Sequence, residues 1–152
     1  MSVVRQIFDN KCDYMELLLL ADEQEDMVLR YLDRGEMFVL EADGSVCAVC
    51  VVTDEGGSVC ELKNIAVSPC FQRRGYGREL IGFIEKHYRN RFDRLIVGTG
   101  DSPLTVPFYE SCGFVRTHRV ENFFTDNYDH PIFEAGVQLI DMIYFEKSLT
   151  EV

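Results

Sequence analysis

The sequence lacks any apolar run approaching the ~20 residues that a helix needs to cross a bilayer. Its first residues, MSVVRQIFDNKCDYM, carry neither the basic start nor the apolar stretch of a secretion signal, so a cytoplasmic protein without membrane contact is expected. Positive charge is also in short supply: 15 Lys and Arg stand against 26 Asp and Glu, a net charge of −11. This argues against nonspecific nucleic-acid binding, which needs a basic face for the phosphates, and fits a cationic partner, with solubility alone as the alternative meaning of the acidic balance. None of the three histidines, His87, His118 and His130, has a second ligand at metal spacing, so no metal is expected. Repeats, low-complexity tracts and linkers are absent.

Cysteine is present six times, but only Cys47 and Cys50 lie close in sequence. On a strand their Cα atoms would sit ~10 Å apart on opposite faces, beyond the ~7 Å reach of a disulfide. Free, mostly buried thiols are expected.

With 152 residues, 47% of them hydrophobic, the chain can bury one core, and a single domain over residues 1–152 is expected. VVRQIF reads as a strand, and NKCDYMELLLLA and EQEDMVLRYLDRG carry apolar residues at helical spacing. Asp22 with Glu25 three residues on fits a cap for the second of these helices, and Gly35 fits its end. Residues 36–67 read as three strands turned at Asp43-Gly44 and Gly56-Gly57. YGRELIGFIEKHYRN is a helix that packs on the sheet, and FDRLIVGTG is a buried strand. Ser102-Pro103 fits the start of a short helix that Gly113 ends, with a possible kink at Pro107. FVRTHRV and VQLIDMIYFEKSL close the sheet, with a loop over residues 121–136 between them. The fold class is α/β: a mixed, mostly antiparallel seven-stranded sheet flanked by about four helices.

One stretch is richer than its place requires. Between the strand ending Ile65-Ala66-Val67 and the following helix stands QRRGYG, with two arginines and two glycines in six positions. Such a turn leaves backbone N–H groups free at a helix N-terminus, where aligned dipoles and nearby arginines hold phosphate. The absence of Gly-Lys-Ser/Thr excludes a nucleotide-triphosphatase loop, and Leu80 stands where a dinucleotide fingerprint needs its third glycine.

Gln72-Arg73-Arg74-Gly75-Tyr76-Gly77 resembles the Q/R-x-x-G-x-G/A pyrophosphate loop of the GNAT superfamily of acetyl-CoA-dependent N-acetyltransferases. Downstream, Phe108-Tyr109-Glu110-Ser111-Cys112-Gly113-Phe114 is similar to the family's F-Y-x-x-x-G-F segment, and the order of elements matches over nearly the whole chain. The resemblance implies acetyl-CoA as co-substrate, with Ile65, Ala66 and Val67 offering backbone to its arm. Gln72, Arg73, Arg74, Gly75, Tyr76, Gly77 and Arg78 would hold the diphosphate. Ser102 replaces the asparagine that often bonds the pantetheine.

Tyr109 resembles the family's general acid, a phenol that is protonated at neutral pH; a core tyrosine is the alternative. Glu61 sits where some members place a catalytic glutamate, and a relay of waters is the alternative base. Val97 occupies the fifth-strand position at which ribosomal-protein acetylases use glutamate. The acceptor region implied is residues 20–26 with the loop 121–136, where Phe123 and Tyr128 stand beside Asp126, Asp129 and Glu134. Aromatic faces with carboxylates suit a cation, or the aromatics simply cover the core edge. The implied activity is acetyl transfer to a primary amine, on a small molecule or a protein. A non-catalytic acyl-CoA sensor is the alternative, and a homodimer is compatible with the resemblance.

Overall fold

β1 (Ser2–Ile7) runs antiparallel to β2 (Glu36–Ala42), β2 to β3 (Ser45–Gly56), and β3 to β4 (Val59–Val67). In this computed structural model residues 1–150 are described; Glu151 and Val152, the end of the expected domain span, lie outside them. β4 pairs in parallel with β5 (Arg94–Gly100), and β9 (Met142–Ser148) lies antiparallel between β5 and β6 (Val115–Val120). The result is the expected seven-stranded mixed sheet, ordered β1-β2-β3-β4-β5-β9-β6.

Each face of the sheet has its own core, as period-two alternation in β2 and β3 dictates. Phe38, Leu40, Cys50 and Val52 pack against Leu80, Ile81, Ile84 and Tyr88 of α3 (Tyr76–Tyr88). Met37, Val39, Val49 and Val51 pack against α1 (Met15–Leu18) and α2 (Glu25–Leu32) on the other face. Full burial of each such side chain stabilises the fold by about 1.5–3 kcal/mol. Gly35 follows α2 because a Cβ there would stand 2.5 Å from Val51 Cγ1. No helix among the described residues is long and apolar enough to cross a membrane.

Several local expectations are corrected. Asp22 does not cap α2: the cap position is Gln24, with no side-chain bond, and the Asp22 carboxylate goes to two tyrosines instead. The short helix α4 (Val106–Ser111) starts after Thr105, not at Pro103, because Ser102 Oγ accepts the Leu104 N–H in a separate turn. Pro107 thus falls in the first helical turn, where its missing N–H costs no bond and no kink follows.

The loop over 121–136 contains α5 (Phe123–Asn127) and the first strand of a hairpin, β7 (Ile132–Glu134) with β8 (Val137–Leu139). Phe124, Ile132 and Leu139 give this segment a small core of its own, which breaks the expected last strand before Met142. Cys47 and Cys50 do not face opposite ways. β3 bulges opposite Leu40 and Glu41, and both thiols join the α3-side core; all six cysteines are free, with Cys12 and Cys70 exposed.

Candidate active site

β4 and β5 are paired only from Val59–Arg94 to Leu62–Val97. Beyond that rung β4 stays with β3 and β5 stays with β9, so the two parallel strands part. On the side facing β5, the backbone of residues 63–67 has no strand to bond. A cavity of about 300 Å³ fills the wedge, lined by Ile65, Ala66 and Val67 on one wall and by Gly98, Thr99 and Gly100 on the other. Glycine at 98 is required there, since a Cβ would meet Met142 Sδ at 2.6 Å and the Tyr144 ring at 2.9 Å.

The glycine-rich turn closes one end of this wedge. Arg73 and Gly75 both adopt left-handed backbone, at φ 66° and 85°, which reverses the chain into α3. The first intrahelical bond is Glu79 N–H to the Gly75 carbonyl, so the amides of Tyr76, Gly77 and Arg78 are open at the helix N-terminus. Gln72 Nε2 donates to the Val67 carbonyl at 3.1 Å and ties the turn to the end of β4. Arg74 lies over the Phe71 ring. Arg78 is committed elsewhere: it donates to the Ser111 carbonyl at 3.0 Å and to Ser111 Oγ at 2.8 Å, clamping α4 to α3. Open amides, a left-handed glycine and exposed Arg73 fit a diphosphate.

α4 carries Tyr109 to the cavity wall, 7% exposed, with its ring against Phe114 and Phe145. Its hydroxyl has no protein partner among the described residues. Burial, and then the charge of Glu134, push its pKa up and keep the phenol protonated.

The second wall comes from the α1–α2 link and the 121–136 segment. Asp22, Tyr128 and Glu134 line the cavity, whereas Phe123, Asp126 and Asp129 do not. Phe123 packs edge-on against Phe124, Asp126 is exposed, and Asp129 pairs with His130 at 2.5 Å. Tyr128 donates to Asp22 Oδ1 at 2.6 Å. Burial pushes the Glu134 and Asp22 carboxyls up, against the hydrogen bonds of Ser102 on the first and of Tyr128 and Tyr31 on the second.

Glu61 and Ser102, also named from the sequence, stand off the cavity too. Glu61 is 6% exposed on β4, below the last β4–β5 rung, with Lys63 Nζ 3.1 Å from its Oε2. Burial lifts its carboxyl and Lys63 works against that. Ser102 is 2% exposed beneath Glu134. Lys63 and Asn64 line the cavity and stand outside the residues that the sequence points to, while Asp22 and Glu23 on its wall fall within the 20–26 region that the resemblance implies for the acceptor.

A family profile described as an acetyltransferase (GNAT) domain matches residues 33–116. The Bacillus subtilis (strain 168) protein YvbK, named an uncharacterized N-acetyltransferase, is 37% identical over 130 residues, 84% of each chain. The chain belongs to the GNAT acetyltransferase family. A GNAT family acetyltransferase from Elizabethkingia anophelis, solved with acetyl-CoA bound, superposes with a TM-score of 0.91 at 30% identity over 97% of both chains. A Bacillus subtilis acetyltransferase in complex with CoA superposes at 0.88 with 32% identity, over 97% of this chain and 99% of that one. The protein is thus a GNAT N-acetyltransferase whose relatives bind acetyl-CoA or CoA.

Proposed function

We propose that this chain transfers the acetyl group of acetyl-CoA to a primary amine of a cationic small molecule by direct attack, with Tyr109 as general acid. The observation that carries this reading is Tyr109 itself: a protonated phenol, free of protein partners, on the wall of the β4–β5 wedge. The Ile65–Val67 backbone pairs the pantetheine arm along the open edge of β4. The turn Gln72–Arg78 holds the diphosphate at the N-terminus of α3, mainly through its amides. Ser102 acts through Glu134, which its buried hydroxyl bonds, and not by touching the arm.

The amine nitrogen, once neutral, bonds to the acetyl carbon while the carbon–sulfur bond breaks and the departing thiolate takes the Tyr109 proton. A backbone N–H at the open edge stabilises the charge that develops on the carbonyl oxygen. The amine's own proton leaves through water toward Glu61, whose burial-raised carboxyl makes it a stronger acceptor than an exposed one. Tyr128 and Glu134 favour a positively charged acceptor by contact, Asp126 and Asp129 through the local field, and Phe123 by packing behind the Tyr128 ring. A cavity of about 300 Å³ between loops suits a small acceptor.

The test is release of free CoA from acetyl-CoA over a panel of small amines and lysine peptides. Turnover with at least one small amine supports the reading. Acetyl-CoA binding without turnover on any amine contradicts it.

A further inference from the structure

Asp22 lies in the link between α1 and α2, where a carboxylate is expected to cap the second helix, yet it faces the cavity. Tyr128 donates to its Oδ1 at 2.6 Å and Tyr31 to its Oδ2 at 3.1 Å. Tyr31 accepts from Asn64 Nδ2 at 3.1 Å, and the other Asn64 amide proton goes to the Leu18 carbonyl at 3.0 Å. Every hydrogen of the cluster is therefore used inside it. What remains is acceptor capacity alone: the lone-pair room left on the Asp22 carboxylate beside Tyr128, Tyr31 and the Gln24 backbone N–H, and Asn64 Oδ1. That oxygen is buried without a partner, on a side chain only 3% exposed that lines the same cavity. Such an arrangement is costly unless an N–H donor completes it.

No protein donor reaches Asn64 Oδ1, and no side-chain cation on the walls reaches Asp22. Lys63 lines the cavity, but its ammonium is held by Glu61, and the other charged residues on the walls are Glu23 and Glu134. Between the acids the wall is apolar, with Leu20 52% exposed and Phe133 58% exposed. An ammonium at one end and a methylene chain beside it match these surfaces.

We propose that Asp22, set by Tyr31, Tyr128 and Asn64, is the subsite for a second, non-reacting ammonium, and that the acceptor is an aliphatic diamine or polyamine. This rests on the transfer reading above, because that reading requires the attacking nitrogen to be neutral with its lone pair free. A nitrogen held on an ionised carboxylate stays charged. The two demands therefore fall on two nitrogens of one molecule.

Calorimetric titration of the CoA-saturated protein with 1,4-diaminobutane and with 4-aminobutan-1-ol tests the charge directly. The two ligands differ only in the second polar group. Wild type binds the diamine about tenfold more tightly or better, the low end for one charge-assisted hydrogen bond. Asp22→Asn, checked for folding by its melting curve, brings the two affinities together, whereas Tyr128→Phe, which keeps the carboxylate, retains the preference. Equal binding of the two ligands by wild type overturns the proposal, as does an undiminished preference in folded Asp22→Asn. Acetylation of the same amines is followed separately. Diamine preference without acetylation counts against the transfer reading and leaves the subsite standing, while acetylation without preference does the reverse.

Discussion

Leu62 faces Val97 in the last rung that β4 and β5 share. Two parallel strands that part after a common start open a wedge, because each keeps its other neighbour: β3 for β4, and β9 for β5. The edge exposed on β4 is the surface along which an extended arm can pair, and the turn that follows β4 stands at its end. Everything argued for catalysis depends on this opening.

The first prediction concerns Gly75. Nothing lies within 4 Å of a Cβ built there, so crowding within the protein is not the issue; the backbone at φ 85° is. A β-branched residue resists that conformation by roughly 1–2 kcal/mol, and its side chain would stand where the open amides meet a ligand. Gly75→Val is expected to melt within a few degrees of wild type and to bind acetyl-CoA at least about tenfold more weakly by calorimetry. Unchanged affinity in a folded variant removes the diphosphate assignment.

The second separates two arginines that the sequence made equivalent. Arg73 is exposed with no protein partner among the described residues, while Arg78 holds the end of α4 through Ser111. Arg73→Ala should raise the KM for acetyl-CoA and leave the melting temperature in place. Arg78→Ala should lower the melting temperature, by about 2–4 °C for a loss near 1 kcal/mol in a chain of this size. The reverse pattern would show the two roles exchanged.

The turn after β4 and the short helix that carries Tyr109 were legible because both are local segments, strand-turn-helix and a short helix before a glycine, while their roles came from the family resemblance. The wall opposite was indicated only as a region, residues 20–26 with the loop 121–136, and only through the family resemblance; the bonds within it were not legible. Asp22 meets Tyr128 across 106 residues of chain, and no local pattern announces such a bond. A further signal was Asn64, a polar residue on a strand that is otherwise apolar after Lys63, whose side chain bonds the Leu18 carbonyl on the α1 side. The 121–136 segment read as a loop because its hairpin strands are three residues each, too short for alternation to show.

A third prediction follows from which acids reach the cavity. Glu134 lines it and Asp126 does not. Glu134→Gln is expected to raise acceptor KM about tenfold with acetyl-CoA KM unchanged, while Asp126→Asn moves acceptor KM by less than about twofold. Added salt should weaken acceptor binding in wild type more than in Glu134→Gln. Equal effects of the two substitutions would mean that only the general field of the acidic loop matters.

The fourth is a stability test at the far end of α3. Glu36 Oε1 accepts from the Tyr88 hydroxyl at 2.7 Å and from Arg91 Nη1 at 3.1 Å. Burial acts to raise its pKa, but Tyr88 and Arg91 outweigh it and hold the carboxyl below its ordinary value. A lowered folded-state pKa contributes stability that is full above the ordinary carboxylate range and is lost as pH falls through the lowered value. Glu36→Gln should therefore cost about 1 kcal/mol at pH 7, and the gap should close on acidification below the ordinary carboxylate range. Urea unfolding at both pH values measures it. A gap that stays constant with pH would assign the loss to packing and not to charge.

The central claim is that Tyr109 protonates the departing thiolate, and single-turnover kinetics with acetyl-CoA pre-bound tests it most directly. Tyr109 keeps its ring packing as Phe, so Tyr109→Phe should bind acetyl-CoA as wild type does and transfer the acetyl group about 10²-fold more slowly at pH 7. Transfer at the wild-type rate, with chemistry shown to limit turnover, would contradict the account.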